Sequence, residues 1–311
     1  MALLIDIRDP EWMEEQALKD ILQPGLPDVD IFCGDPGDAA EQIIMLAAVK
    51  LFPDVVRGLP NLRLVQKLGA GVDGIVNDPD LHPEVKVARL RPDLPAHEIA
   101  EYCLTYVLQH QRNVCFHQDN QRQKRWQTRA PRKSASTTVA VLGLGHIGAR
   151  TAQYFAAIGF RVLGWSRTEK TLQGVDCRYG EHALEGLLAE SDYVACILPS
   201  TSETKNLFNA ERLSQLKPGA VLLNAGRGDL IVEQDLIQAI NSGQIGGAVL
   251  DVFQTEPLPG DHLFWDHPAV TVTPHVSGWH LDDGLEDIAE NYRRMVAGQP
   301  LLNQVNRQAG Y

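Results

Sequence analysis

Residues 137–148 read TTVAVLGLGHIG, a run of β-branched and aliphatic residues that breaks into Gly143, Gly145 and Gly148. Such a run predicts a buried strand. The glycines then supply a tight turn, a close approach of backbone to a pyrophosphate, and tight packing of the following helix on the sheet. ARTAQYFAAIG continues as that helix, with Gly159 placed to close it, and 160–165 is a second apolar run. Glycine turns also serve ordinary packing. The strand before, the helix behind and the strand after favour a nucleotide, whose phosphates suit the amides and dipole at a helix N-terminus. His146 and Ile147 fall inside this loop, beside the pyrophosphate.

Downstream the alternation is regular. Strands are expected at 138–142, 160–165, 193–198, 220–224, 248–253 and 270–273, with helices between them that include 184–191 and 233–242, the latter closed by Gly243. Strand and helix in alternation with short turns mean a doubly wound parallel sheet. Upstream, 2–7, 30–33 and 62–67 read as strands, 11–22 as an amphipathic helix and 24–30 as a loop. The proline-rich stretch 81–95 suits a crossing between domains, 96–117 a long helix, and 282–297 a helix returning to the first domain.

At 311 residues the chain has room for two domains with separate cores. The expected class is α/β with two Rossmann-like domains, doubly wound parallel sheets with a cleft between them. The first domain, flavodoxin-like, is expected over 1–95 plus 279–311 as the substrate domain; the second, 96–278, is expected as the dinucleotide-binding domain. A net charge of −12 argues against nucleic acid or an anionic membrane as a partner. It leaves a small anionic substrate open, because a local Arg or Lys overrides the mean. The basic segment 121–133 holds six cations around Trp126 and reads as a solvated arm. MALLIDIRDPEW has no basic leader, and no run reaches the ~20 apolar residues of a membrane span, so a cytoplasmic protein is expected. Five scattered cysteines without a CxxC argue against a disulfide framework or zinc site, and no metal is expected. Cys103 and Cys196 read as small buried hydrophobes rather than nucleophiles.

A dinucleotide site that prefers NAD places Asp or Glu about 20 residues beyond the glycines, on the ribose hydroxyls. Here the second strand ends in Trp165, Ser166, Arg167 and Thr168, without a carboxylate. Arg167 can pair with a 2′-phosphate in forked geometry, so NADP(H) is the preferred cofactor and NAD(H) a usable one. Arg227, Asp251, Glu256 and His275 stand at or beyond the ends of later strands, where open α/β sheets put ligands. Singly, each has an ordinary structural explanation. Jointly they fit reduction of a keto acid: a guanidinium for carboxylate and carbonyl, an imidazole to give the proton, and a carboxylate to stabilise the imidazolium. LGAGVDGI at 68–75 is either an amide nest for a carboxylate or a plain glycine turn.

VLGLGHIG, LPSTSET, KPGAVLLNAGRG, GGAVLDVFQTEPLP and VTVTPHVSG, in this order along nearly the whole chain, resemble the D-isomer-specific 2-hydroxyacid dehydrogenase family. LGAGVDGI, GWSRT, EPLP and QVNRQAGY resemble its glyoxylate/hydroxypyruvate reductase A branch. The resemblance implies a catalytic trio of Arg227, Glu256 and His275. It implies that Asp251 and the Ala225 backbone hold the nicotinamide carboxamide, that Leu198, Pro199 and Thr204 line the cofactor, and that Ala70 and Gly71 offer amides to the substrate carboxylate. It further implies a homodimer built on the second domain, and a short 2-keto acid or D-2-hydroxy acid as substrate. Two stretches depart from the branch. AAVKLFPD offers Lys50 where a tryptophan is common, and VSGWHLDD places Trp279, His280 and Leu281 where an arginine often stands. Trp279 then belongs to an altered substrate wall, and Lys50 is either a replacement cation or a surface lysine. The alternatives are a dehydrogenase of a bulkier 2-hydroxy acid and a nucleotide-sensing binding module on the same fold.

Overall fold

Ala2 and Leu4 enter one apolar cluster while Leu3 and Ile5 enter another, so the strand Ala2–Asp6 (β1) is buried on both faces. That is the signature of an interior parallel strand. In the computed structural model, which describes residues 1–8 and 13–307, β1 belongs to a five-stranded parallel sheet. Its companions are Asp30–Cys33 (β2), Ile43–Ala48 (β3), Leu64–Lys67 (β4) and Lys86–Arg89 (β5), in the order β2-β1-β3-β4-β5. Helix Glu15–Leu22 (α1) and the C-terminal helix Glu286–Val296 cover one face with Leu18, Leu22, Ile288 and Tyr292. Pro53–Arg57 (α2) and Asp73–Val76 (α3) cover the other with Val56, Ile75 and Val76. These elements form one compact unit, Met1–Leu94 with His280–Tyr311; Pro95–Trp279 forms a second.

The second unit takes up helix Asp93–Gln111 (α4) from its third residue and continues with Val114–Arg122 (α5). Its sheet has seven parallel strands: Thr138–Leu142 (β6), Arg161–Ser166 (β7), Asp176–Tyr179 (β8), Tyr193–Cys196 (β9), Ala220–Asn224 (β10), Ile245–Leu250 (β11) and Val270–Val272 (β12). Helices His146–Ala157 (α6), Glu181–Glu190 (α7), Ala210–Ser214 (α8) and Glu233–Asn241 (α9) link them. The order β12-β11-β10-β9-β6-β7-β8 reverses direction between β6 and β9. Ligands of such sheets bind outside the carboxyl ends of the strands at that switch point, which is where the glycine loop after β6 lies.

Several boundaries differ from the expectation. β3, β5 and β8 were not anticipated: β5 lies in the stretch read as a linker, and β8 is a short edge strand with no buried residue. The helix expected over 96–117 begins earlier and is two helices, broken where Asn113 adopts φ +56°. β11 starts at Ile245 because Gly246 and Gly247 are strand residues pressed against neighbouring backbone; a Cβ on Gly246 would stand 2.5 Å from the Gly219 carbonyl. The helix expected from residue 11 starts at Glu15, and residues 11 and 12 lie outside the described residues, as do 308–311 of the QVNRQAGY motif. The expected C-terminal helix opens with a tight turn at Asp282–Gly284.

Candidate active site

The turn after β6 explains its glycines. Gly143 has φ +98°, and a Cβ there would lie 2.9 Å from the Ile197 carbonyl; a Cβ on Gly148 would fall 1.7 Å from the Gly143 carbonyl. Those two positions exclude any side chain. Gly145 has nothing within 4 Å of its Cβ position and begins α6 with no side-chain cap. An open space facing uncapped amides at the start of a twelve-residue helix suits a pyrophosphate. His146 and Ile147 form the first turn of that helix.

β7 ends at Ser166, buried, whose hydroxyl donates to the Thr168 carbonyl at 2.7 Å. Arg167 projects outward, with its guanidinium 3.7 Å from Glu203. The loop after β9 carries Leu198 and Pro199. Thr204 Oγ1 donates to the Pro199 carbonyl at 2.7 Å, and Ser200 donates to Asp229 Oδ2 at 2.6 Å, tying this loop to the one that carries Arg227. Ala225 is buried just beyond β10.

Asn224 shapes the arginine loop from inside. Its amide nitrogen donates to the Arg227 carbonyl at 2.8 Å, and its oxygen accepts from Gly226 N at 3.1 Å. Close packing then leaves no room at Gly228, where a Cβ would fall 1.9 Å from Phe253 backbone. Arg227 is half-buried, and its Nη1 donates to the Gly226 carbonyl at 2.7 Å.

His275 follows β12 with φ +56°, a left-handed conformation that a non-glycine residue adopts only under support. Asp251 provides it. The Asp251 carbonyl accepts from His275 N at 2.9 Å. Oδ1 accepts from Thr273 Oγ1 (2.6 Å) and Val276 N (2.9 Å), and Oδ2 from Ser277 N (2.9 Å). Because Thr273 spends its proton on Asp251, the Tyr102 hydroxyl from α4 donates to it, at 2.7 Å. Asp251 is wholly buried, so it acts here as the anchor of the histidine loop; a carboxamide would meet it only through the acceptor position left on Oδ2. Tyr102 belongs to no motif, Thr273 lies inside VTVTPHVSG, and sequence reasoning gave neither a role.

Glu256 meets His275 directly: His275 Nδ1 donates to Glu256 Oε2 at 2.8 Å, while Oε1 accepts from Phe253 N at 2.9 Å. Burial works to raise the Glu256 carboxyl. The hydrogen bonds from His275 and Phe253, with the charges of His275 and Arg227, outweigh it and hold the group below the usual carboxylate range. Nδ1 is thereby committed, and the ring's other nitrogen, Nε2, is the one left to meet a ligand. Arg227, Glu256 and His275 therefore come together on one unit.

The remaining expected residues fall elsewhere. Ala70 and Gly71 lie in the first unit, in the loop after β4, where Gly69 has φ +130°. Trp279 ends the second unit, its N–H donating to Glu98 at 2.6 Å, and His280 opens the second segment of the first. Lys50 is exposed, with its ammonium 5.0 Å from the centre of the Phe52 ring. Cys103 and Cys196 are buried, which pushes both thiols up to about 12 and leaves them inert at neutral pH. Among the described residues no group of three His, Cys, Asp or Glu side chains stands ready for a metal ion, and no helix is long and apolar enough to cross a membrane.

The model of the D-isomer specific 2-hydroxyacid dehydrogenase NAD-binding domain matches residues 104–277. The glyoxylate/hydroxypyruvate reductase A of Serratia proteamaculans (strain 568) is 36% identical over 297 residues, covering 93% of this chain and 94% of that protein. A D-isomer specific 2-hydroxyacid dehydrogenase of Xanthobacter autotrophicus Py2, solved with NADPH and MES, superposes with a TM-score of 0.92 at 40% identity over 100% of this chain and 99% of that one. The NADPH-dependent glyoxylate/hydroxypyruvate reductase of Sinorhizobium meliloti, solved with NADP and sulfate, gives 0.89 at 30% identity, with coverage of 100% and 99%. With a glycine loop shaped for a dinucleotide and likeness along its full length, the chain belongs to the D-isomer-specific 2-hydroxyacid dehydrogenase family and is an NAD(P)-dependent oxidoreductase.

Proposed function

We propose that this enzyme reduces a short 2-keto acid of the glyoxylate or hydroxypyruvate type to the D-2-hydroxy acid, with NADPH preferred. The observation that carries the reading is the 2.8 Å His275–Glu256 pair, with Arg227 close enough for its charge to act on Glu256. Bound at the glycine loop, the dinucleotide supplies the hydride that the keto carbon accepts. Arg227 pairs with the substrate carboxylate and polarises the carbonyl. His275 Nε2 gives its proton to the carbonyl oxygen, and Glu256 orients the ring and stabilises the imidazolium. Asp251 keeps His275 in place, the Ala225 backbone meets the carboxamide, and Ala70 and Gly71 amides take up the carboxylate. The NADPH preference rests on Arg167, exposed at the end of β7 with no carboxylate at 166–168 to repel a 2′-phosphate.

Initial rates over glyoxylate, hydroxypyruvate, pyruvate and bulkier 2-keto acids, each with NADPH and NADH, test this. The expected pattern is turnover of the small acids with kcat/KM higher for NADPH. No turnover of any 2-keto acid defeats the reading; equal efficiency with NADH defeats the role of Arg167. We further propose a homodimer in the cytoplasm. The arm 123–133 is exposed throughout, with Trp126 fully so, and all five cysteines are free thiols. A monomer by light scattering would exclude the dimer.

A further inference from the structure

The loop after β4 is held from behind at three successive carbonyls. Leu68 O accepts from Lys67 Nζ at 2.9 Å, Gly69 O from Leu90 N at 3.2 Å, and Ala70 O from Arg89 Nη1 at 3.1 Å. By contrast, the N–H groups of Ala70 and Gly71 donate to no acceptor among the described residues. In a trans peptide the carbonyl and the following N–H point in opposite directions. Fixing Ala70 O therefore fixes the aim of the Gly71 N–H on the opposite side. A charged donor on the carbonyl also polarises the peptide and makes its N–H a better donor to an anion.

Arg89 is an unusual residue to find there. It is half-buried at the end of β5, and no carboxylate among the described residues pairs with it. Its register partner on β4 is Lys67, so two cations stand side by side on adjacent strands. Like charges directly opposite one another destabilise a sheet, and such local violations mark functional positions. Burial together with the neighbouring Arg91 charge lowers the Arg89 guanidinium, in keeping with a cation that lacks an anionic partner in the protein.

We infer that Arg89 is a positioning residue for substrate binding: by holding the Ala70 carbonyl it aims the Gly71 amide at the substrate carboxylate, without touching the substrate itself. This rests on the keto-acid reductase reading. The test is steady-state kinetics of Arg89→Met and Arg89→Lys with the better of glyoxylate and hydroxypyruvate. Oxalate serves as a dead-end carboxylate probe, and NADPH affinity is read by fluorescence. In Arg89→Met, KM for the keto acid and Ki for oxalate should both rise about tenfold or more, the scale of one lost charge-assisted hydrogen bond. kcat should stay within about threefold and NADPH affinity should be unchanged. Arg89→Lys, which keeps a charged donor, should recover most of the loss. An unchanged KM and Ki in Arg89→Met overturns the inference. So does a parallel loss of kcat, KM and NADPH affinity that lysine does not rescue, which is the mark of a merely structural residue. If the wild type turns over no 2-keto acid, the proposed function fails, and oxalate and NADPH binding still decide the part played by Arg89.

Discussion

His275 occupies a backbone region that costs energy, and only part of its support lies in its own stretch, at Thr273, Val276 and Ser277: Asp251 comes from the end of β11 and Tyr102 from α4. The three charged residues stood out jointly, as a guanidinium, an acid and an imidazole beyond strand ends in stretches that resemble the family's motifs, while singly each had an ordinary explanation. Tyr102 and Thr273 did not, because a hydroxyl acquires its role only from distant partners, 22 positions away for Thr273 and Asp251 and 171 for Tyr102 and Thr273. Replacing His275 by alanine should lower the chemical step by about a hundredfold or more while NADPH affinity holds; near-normal single-turnover rates would remove it as the proton donor. Glu256→Gln adds a pH test. The Glu256 carboxyl is held below its ordinary 4.5, so above that value it is ionised and able to pair with a protonated His275, and this ability is lost as pH falls through the lowered one. The deficit in kcat of Glu256→Gln relative to wild type should therefore persist at pH 5 and close only below the ordinary glutamate range. A deficit that vanishes by pH 6 would mean the pair does not set the rate.

Elements with a glycine boundary were legible: β6 and α6 follow from TTVAVLGLGHIG, and Gly159 (φ +88°) and Gly243 (φ +79°) stop their helices, whereas β3 went unread despite its apolar run. β8 had no such signal. Its four residues DCRY are polar or half-exposed; the strand ladders onto β7, packs Cys177 against the apolar cluster and adds ion pairs at Arg178. Glu190 at the end of α7 pairs with Arg178 of β8 and Arg161 of β7, and these contacts, Arg178 first, bring its carboxyl down to about 2. A lowered carboxylate stabilises the fold fully above its unfolded value near 4.5, and the contribution is lost as pH falls toward 2. Glu190→Gln should thus melt below the wild type at pH 7, with the gap narrowing steadily between pH 4.5 and the acid limit of folding. Because the pair is largely solvent-exposed the gap is small, and it should also shrink in high salt. A gap independent of pH would show that Glu190 acts through packing instead.

At the scale of the whole chain, each unit carries apolar clusters on both faces of its own sheet, which is why strand–helix alternation could announce doubly wound parallel sheets. What alternation could not show is how the second chain segment is bound into the first unit. There Asn291, wholly buried, donates to Gln66 Oε1 at 2.8 Å and to the Leu302 carbonyl at 3.1 Å, while its oxygen accepts from Leu302 N at 2.7 Å. Asn291→Leu strands a buried amide and a backbone pair, a cost of about 1–3 kcal/mol for each group left unsatisfied. Phe155→Ala empties a wholly buried ring site in the second unit at a cost of about 3–5 kcal/mol. NADPH at a hundredfold excess over its dissociation constant adds about 2.7 kcal/mol to whatever binds it. Hydrogen exchange resolved by peptide separates these effects. Asn291→Leu should speed exchange in β4 and around Leu302 and leave β6–α6 at wild-type rates. Phe155→Ala should do the reverse, with NADPH slowing exchange in β6–α6 of that variant. Uniform acceleration across both units in either variant would mean that the chain opens as one cooperative body despite its two cores.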